Sequence, residues 1–432
     1  MQLTKKDKSA AKDNLKVALT LATSALLGTT NANADENEWE FDTAFLYYAE
    51  SDRVTASEGI FNAKKTFDDQ ELLNLKLTVD VLTGASANGA VAQNQVQTFT
   101  RPSGNGQYNV KAGDTPLDDT FKDTRVQING QWTQPLNTTT TASIGGHISK
   151  EYDYLSLGVN GNLAYDFNRK NSTLSFGLSY FHDTFSPEGG IPVHFSSMVV
   201  DNNDSDDFER LFDATRFKNE DDKTTTDVLF GFTQVINRRM LMQFNYSYSV
   251  IDGYLTDPFK VLSVVDNNGI TQDLVYEKRP DTRTKHSVFV QSKYHFDSVI
   301  LDASYRYMAD DWEIESHTID SRFRIPLSSR SYIEPHLRLY QQTAADFYQP
   351  FISQTEVTPD YASADYRIGE MDAFTVGLEY GTKLTRGNTL SFRLEYYSQK
   401  PKDAGFSEPG VLKELDLYEE VNAVIAQVSY SF

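Results

Sequence analysis

Eight carboxylates, Glu50, Asp52, Asp80, Asp118, Asp123, Glu151, Asp153 and Asp183, recur beside short segments rich in Gly, Ser and Thr. Oxygen donors of this kind suit a hard cation, and Ca²⁺, which takes about six to eight of them, is the cofactor they would hold. The candidate metal set is Asp52, Asp80, Asp123, Glu151 and Asp153, with a Thr83-Gly84-Ala85 turn adding backbone carbonyls. The same residues admit a plainer reading, a rim of acids held by ion pairs to Arg53 and Arg125. Converging carboxylates must be relieved by such arginines, by protonation or by a bound cation. A second, basic set lies toward the C-terminus: Arg306, Arg322, Arg324, Arg338, Lys383 and Arg393. Along one wall of a channel they would form a stripe that orders polar solutes; the alternative is local pairing with Asp302, Asp320, Glu334, Glu379 and Glu395.

Other chemistry finds little footing. There is no HExxH, no GxSxG and no phosphate-binding glycine loop followed by Lys-Ser/Thr. His182-Asp183 is a lone acid–histidine pair, and such a pair is ordinarily rim polarity, so no catalytic residue is assigned and no enzyme is expected. The chain has no cysteine, which excludes disulfides, thiolate zinc sites and cysteine nucleophiles. With 61 acidic against 40 basic residues and a net charge of −21, no nucleic-acid partner is expected. Asp201-Asn-Asn-Asp204-Ser-Asp206-Asp207 and Asp266-Asn-Asn-Gly269 look like calcium loops but lack EF-hand spacing, and read as solvated acidic loop.

The elements that must position these groups begin after a targeting segment. Lys5, Lys6, Lys8, Lys12 and Lys16 precede the apolar run Val17 to Gly28, and Ala32-Asn33-Ala34 is a small-x-small cleavage site. Residues 1–34 are therefore expected to be a signal peptide and residues 35–432 one mature domain. From Trp39 onward the apolar period is two: Leu155, Leu157, Val159, Leu163, Tyr165 and Phe167 alternate with Ser156, Gly158, Asn160, Asn162, Ala164 and Asp166. A helix would scatter those side chains around its axis, whereas a strand between lipid and water places them on one face.

Sixteen strands are predicted. The first eight are 39–48, 53–66, 72–82, 124–134, 139–149, 153–167, 172–183 and 224–236. The remainder are 240–251, 284–296, 299–309, 314–325, 331–342, 372–384, 389–399 and 420–432. The alternation is poorest in 53–66, but without that strand the number would be odd and one terminus would change sides. From residue 67 on, tight links such as 237–239 alternate with long polar ones such as 83–123, 184–223, 252–283, 343–371 and 400–419. Outer-membrane barrels put short turns in the periplasm and long loops outside. The predicted fold is thus an all-β, transmembrane, up-and-down antiparallel barrel, with the lumen lined by residues such as Asn74, Lys76, Thr78, Asp80, Arg125, Gln127 and Asn129. A barrel of that width has room for an aqueous channel. The alternating segment Val424 to Phe432 is similar to the C-terminal signal read by the barrel-assembly machinery.

Several segments together resemble the bacterial family named domain of unknown function 3570. They are Glu50-x-Asp52-Arg53-Val54, Asp80-Val-Leu-Thr83-Gly84-Ala-Ser86-Ala-Asn-Gly-Ala90 and Gln97-Thr-Phe-Thr100. Pro116-Leu-Asp118-x-x-Phe121-x-Asp123-x-Arg125, Ser149-x-Glu151-x-Asp153-Tyr154-x-Ser156, and Asp183 before Pro187-x-Gly189-Gly190 complete the match. Ala87 departs from it, where the family more often has Pro. The resemblance implies an outer-membrane barrel of a Gram-negative bacterium without an established activity, and a link to an exported redox system of flavin-attaching and thioredoxin-like proteins. Two functions are carried forward. One is a channel or transport-like barrel with a polar lumen and acidic external loops. The other is a non-conducting binding or scaffold barrel serving a periplasmic redox partner. Membrane lipids and the assembly machinery are expected partners of either.

Overall fold

The computed structural model describes residues 39–51, 53–67, 71–200, 206–384, 387–403 and 405–432. The expected signal peptide, Asp52 and residues 201–205 of the aspartate-rich loop lie outside the described residues. The fold is a closed barrel of sixteen antiparallel strands, each paired with its sequence neighbours in the wall and the last with the first. In chain order the strands are β1 (Trp39–Glu50), β2 (Thr55–Thr66), β3 (Leu72–Ala87), β4 (Leu117–Pro135), β5 (Thr140–Lys150), β6 (Tyr154–Phe167), β7 (Ser172–Phe185) and β8 (Asp221–Asn237). They continue with β9 (Met240–Gly253), β10 (Thr282–His295), β11 (Ile300–Asp310), β12 (Glu315–Pro326), β13 (Ser331–Gln342), β14 (Met371–Lys383), β15 (Thr389–Pro401) and β16 (Val421–Ser431).

Every predicted strand is present, including the poorly alternating second one, which closes the sheet between β1 and β3. Alternation points the apolar set outward. Ile144, Val159 and Leu394 are 67%, 62% and 60% exposed, the apolar surface a lipid-facing wall requires. Asp80 and Arg125 face the lumen instead, directly opposed on β3 and β4. At one end of the barrel the links are tight, as at 168–171 and 327–330; the other end carries 88–116, 186–220, 254–281, 343–370 and 402–420. Among the described residues no helix is long and apolar enough to cross a membrane.

Two expectations are corrected here. Thr83-Gly84-Ala85 is not a turn: β3 runs on to Ala87 through an irregularity between Gly84 and Ser86. Gly84 has φ +139°, and a Cβ there would lie 2.2 Å from the Arg53 carbonyl oxygen, so only glycine fits.

The long links, in turn, are not merely solvated. They hold the largest fully buried apolar side chains of the described residues: Phe99, Ile191, Leu262 and Leu412. Val91, Val265, Phe351 and Leu412, from four different links, form one cluster. Trp312, Ile314, Ala345, Phe347, Tyr348 and Ile368 form another. Backbone bonds join the same links: Val261 N–H donates to Asn88 O at 2.8 Å, Val411 N–H to Asn268 O at 2.9 Å and Phe195 N–H to Tyr276 O at 3.0 Å. A small sheet pairs Val261–Val265 with Thr271–Tyr276 and, in parallel, with Ile352–Ser353. These links are rooted at points spread around the barrel, so their mutual packing spans its mouth. They form a cap. Within it Asp266-Asn-Asn-Gly269 is a tight hairpin turn, the Asp266 carboxylate accepting from Asn268 N–H at 2.8 Å and Ile270 N–H at 2.9 Å.

Candidate functional site

Between the cap and the wall lies a cavity of about 540 Å³. Asp80 and Arg125 reach it from β3 and β4, the Arg125 Nε–H donating to Asp80 Oδ2 at 2.8 Å. Asp118 and Asp123 come from β4, Ser86 from β3, and Glu151, Asp153 and Tyr154 from the β5–β6 corner. One Asp123 oxygen accepts from the Thr124 N–H at 2.7 Å and the Tyr152 N–H at 3.4 Å, which ties β4 to that corner. Four of the five candidate metal ligands therefore share one chamber. Among the described residues, however, no three Asp, Glu or His side chains gather closely enough to hold a metal ion.

The chamber relieves its charge in other ways. Arg125 neutralises Asp80. Burial first, and then the neighbouring Asp123 carboxylate, push Glu151 up to about 7 and Asp153 up to about 6. These carboxyls bind a proton more tightly folded than unfolded. Their contribution is fully present below the ordinary carboxylate range and is lost as pH rises through 6 and 7. We expect the thermal midpoint in detergent to fall between pH 5 and pH 8. Glu151→Gln should flatten that slope by on the order of 1 kcal/mol, a figure discounted for solvent around a partly exposed group. An unchanged slope in the variant would remove Glu151 from the account.

Arg53 does not share the rim. Its guanidinium bonds Glu419 at 2.8 Å, across the β1–β16 seam, and lies over the Tyr366 ring. That pairing corrects the expected Arg53 contact with the rim acids. Glu50 is likewise separate: it accepts from the Tyr48 hydroxyl at 2.7 Å and faces a lumenal basin with Arg322 and Arg338. Thr83 opposes Lys122 within the sheet, and Ser149 is buried opposite Gln127 and Ser156. Asp183 joins a second lobe of about 510 Å³, where the Tyr154 hydroxyl donates to it at 2.6 Å. Tyr154, Phe185, Phe259, Asp257 and Arg367 line both lobes.

Sequence reasoning missed the cap's share of this chamber. Asp257, Lys260 and Arg367 come from links without periodicity, and no local pattern marks them. Behind them runs a chain of ion pairs, closed into a ring by one backbone hydrogen bond. Glu277 accepts from the Asp257 N–H at 2.8 Å and from Arg279 at 2.6 Å, Arg279 bonds Asp365 at 2.8 Å, and Arg367 bridges Asp365 and Asp257, the latter at 2.7 Å. Glu277 and Asp365 are each 1% exposed. Burial pushes the Glu277 carboxyl up, whereas Arg367, against the effect of burial, holds Asp365 far below the carboxylate range.

The predicted arginine stripe faces the lumen, and most of it is locally paired. Arg322 stands 3.7 Å from Asp320, Arg324 bonds Glu334 at 2.6 Å and Arg393 stands 3.7 Å from Glu395. His336 sits between Asp320 at 2.9 Å and Glu395 at 2.8 Å. Arg306 lies over the Phe289 ring, while Arg338 makes no ion pair among the described residues and lines the basin of about 670 Å³ beneath the cap. The local-pairing alternative thus holds for Arg322, Arg324 and Arg393, and it weakens the transverse field.

Comparison with solved structures returns outer-membrane barrels. One is the siderophore receptor PirA from Acinetobacter baumannii, at 9% identity and TM-score 0.42, over 87% of this chain and 54% of that one. Another is a bacterial polysaccharide outer membrane secretin, at 10% and 0.43, over 92% of this chain and 100% of that one. A Pseudomonas aeruginosa FadL homologue aligns at 10% and 0.39, over 91% of this chain and 89% of that one. The chain spans about half the length of the siderophore receptor. No curated protein matches it. A family model described as protein of unknown function (DUF3570) matches residues 16–432.

Proposed function

We propose, for a chain that belongs to the DUF3570 family, a transport role: a capped outer-membrane barrel that admits a small polar solute through the chamber between cap and wall. The observation that carries this reading is the chamber's lining. Acids and bases from wall and cap face one solute-sized space, where a seal between cap and wall would be apolar and close-packed. The lumen below continues polar, with Arg322, Arg338, His336 and Glu395 around the next basin. On this reading the protein lies in the outer membrane of a Gram-negative bacterium, with its long links outside and its tight turns in the periplasm. The assembly machinery is then its partner in biogenesis, and it catalyses no reaction of its own.

Planar-bilayer recording tests the proposal. The purified barrel should conduct in discrete steps, with ion selectivity that weakens as salt rises, because exposed charge is screened within about 8 Å at physiological ionic strength. Loosening the cap with Arg279→Met should raise the open time. One observation favours a second reading: the apolar clusters and the buried ion ring hold the cap across the mouth. Silence of both proteins at every voltage would favour a non-conducting binding or scaffold barrel for an exported, flavin- or thioredoxin-linked redox partner.

A further inference from the structure

A separate cavity of about 450 Å³ opens at the tight-turn end of the lumen, remote from the cap. Three cations, Arg324, Arg330 and Lys383, line it together with seven Ser and Thr hydroxyls, and none of its described lining residues is a carboxylate. That is a departure in a chain with 61 acidic residues. The barrel register builds the site. Lys383 on β14 opposes Thr389 on β15, which opposes Ser431 on β16; Ser391 and Ser429 form the adjacent pair. Opposed residues of antiparallel strands stand about 5 Å apart, so these side chains form a continuous row of donors on the lumenal face. The Lys383 N–H donates to the Arg330 carbonyl at 2.7 Å, which ties the 327–330 turn beside that row.

The charge count selects the ligand. Arg324 is committed to Glu334 at 2.6 Å and packs over the Tyr332 ring at 4.1 Å. Arg330 and Lys383 make no ion pair among the described residues. The flanking acids are held outside the lining: Asp42, opposite Ser431 on β1, accepts from Asn62 at 3.5 Å, and Glu379, on the same face of β14 as Lys383, accepts from the Tyr332 hydroxyl at 2.7 Å. Two uncommitted cations and a row of hydroxyl donors match a group with several acceptor oxygens and a charge of about −1.5 to −2, that of a phosphate near neutral pH. A carboxylate would leave one cation uncompensated and most hydroxyls without an acceptor. We propose that this basin binds phosphate, as the free ion or as the monoester of a small solute, with Arg330 and Lys383 taking the charge and Thr389, Ser391, Ser429 and Ser431 donating to its oxygens. The site stands whether or not the barrel conducts.

Calorimetric titration of the full-length barrel in a maltoside detergent, free of phosphate headgroups, tests this. Inorganic phosphate should bind saturably and acetate should not. Arg330→Gln and Lys383→Gln, both in or beside exposed turns and harmless to folding, should each weaken binding about tenfold, the scale of a lost charge-assisted hydrogen bond. Lys170→Gln, in another turn, should leave it unchanged. Comparable binding of glycerol phosphate assigns a phosphomonoester; binding of inorganic phosphate alone assigns the free ion; both support the site. Equal affinity for acetate, an unaffected Arg330→Gln Lys383→Gln double variant, or an equal loss in Lys170→Gln would overturn it.

Discussion

Arg279→Met should free the cap while the barrel stays closed. The guanidinium is the one cation, among the described residues, that bridges Glu277 and Asp365, whose side chains are 0% and 1% exposed. Methionine keeps the apolar stem but leaves the Glu277 carboxylate without a cation, while Asp365 keeps Arg367. Removing one partner from a buried ion network costs about 3–5 kcal/mol, because the remaining charge is stranded. That loss falls on the contact between 254–281 and 343–370, not on the strand ladder, so it should appear as local opening. Hydrogen exchange and limited proteolysis of the detergent-solubilised protein should show both links exposed, with the amides of β9 and β13 still protected. Adding Glu277→Gln should recover part of the loss, since it removes that stranded charge. A cap as protected as in the wild type would mean that the ring contributes nothing to closure.

Trp312→Ala should act on the same cap from the apolar side. Trp312 lies in the short 311–314 link, 4% exposed, at the centre of the cluster with Ile314, Phe347 and Ile368. Its ring meets Phe347 edge-on at 5.0 Å, its Nε1–H donates to the Thr282 carbonyl at 2.9 Å, and the Arg283 guanidinium packs over it at 4.4 Å. Truncating a buried Trp to Ala costs about 3–5 kcal/mol, through lost transfer energy plus the cavity left behind. The 343–370 link should detach and the calorimetric trace should gain an early transition. Ile144→Ala, on the lipid-facing wall, is the control and should leave that transition absent. If Trp312→Ala melts in one step at the wild-type midpoint, the cluster is not what seats the cap.

The barrel was legible residue by residue because each strand carries its own instruction. One face meets lipid and the other water, so alternation in Leu155 to Phe167 or Met240 to Val250 needs no distant partner to be read. Where the local pattern failed, in Thr55–Thr66, a global constraint supplied the answer: an up-and-down barrel with both ends on one side needs an even count. The pairing of Asp80 with Arg125 was within reach for a related reason. They sit on neighbouring strands, and register alone sets them opposite.

The cap was not legible. Phe99 looks like an isolated apolar residue in a polar stretch, Val261 to Val265 and Val411-Leu412 look like short apolar runs between polar ones, and only their meeting makes a core. The Glu419 partner of Arg53 and the Asp365 partner of Arg279 lie 366 and 86 residues away, and nothing local marks either bond. Sequence by itself determined the wall, its two faces and which charged side chains enter the lumen, since those follow from a period of two between two solvents. Tertiary structure alone decided that the long links close over the mouth, that Glu151 and Asp153 share a chamber with Asp257 and Arg367, and that Arg330 and Lys383 flank one basin. Each of these depends on contacts between segments whose order around a closed ring, not along the chain, makes them neighbours.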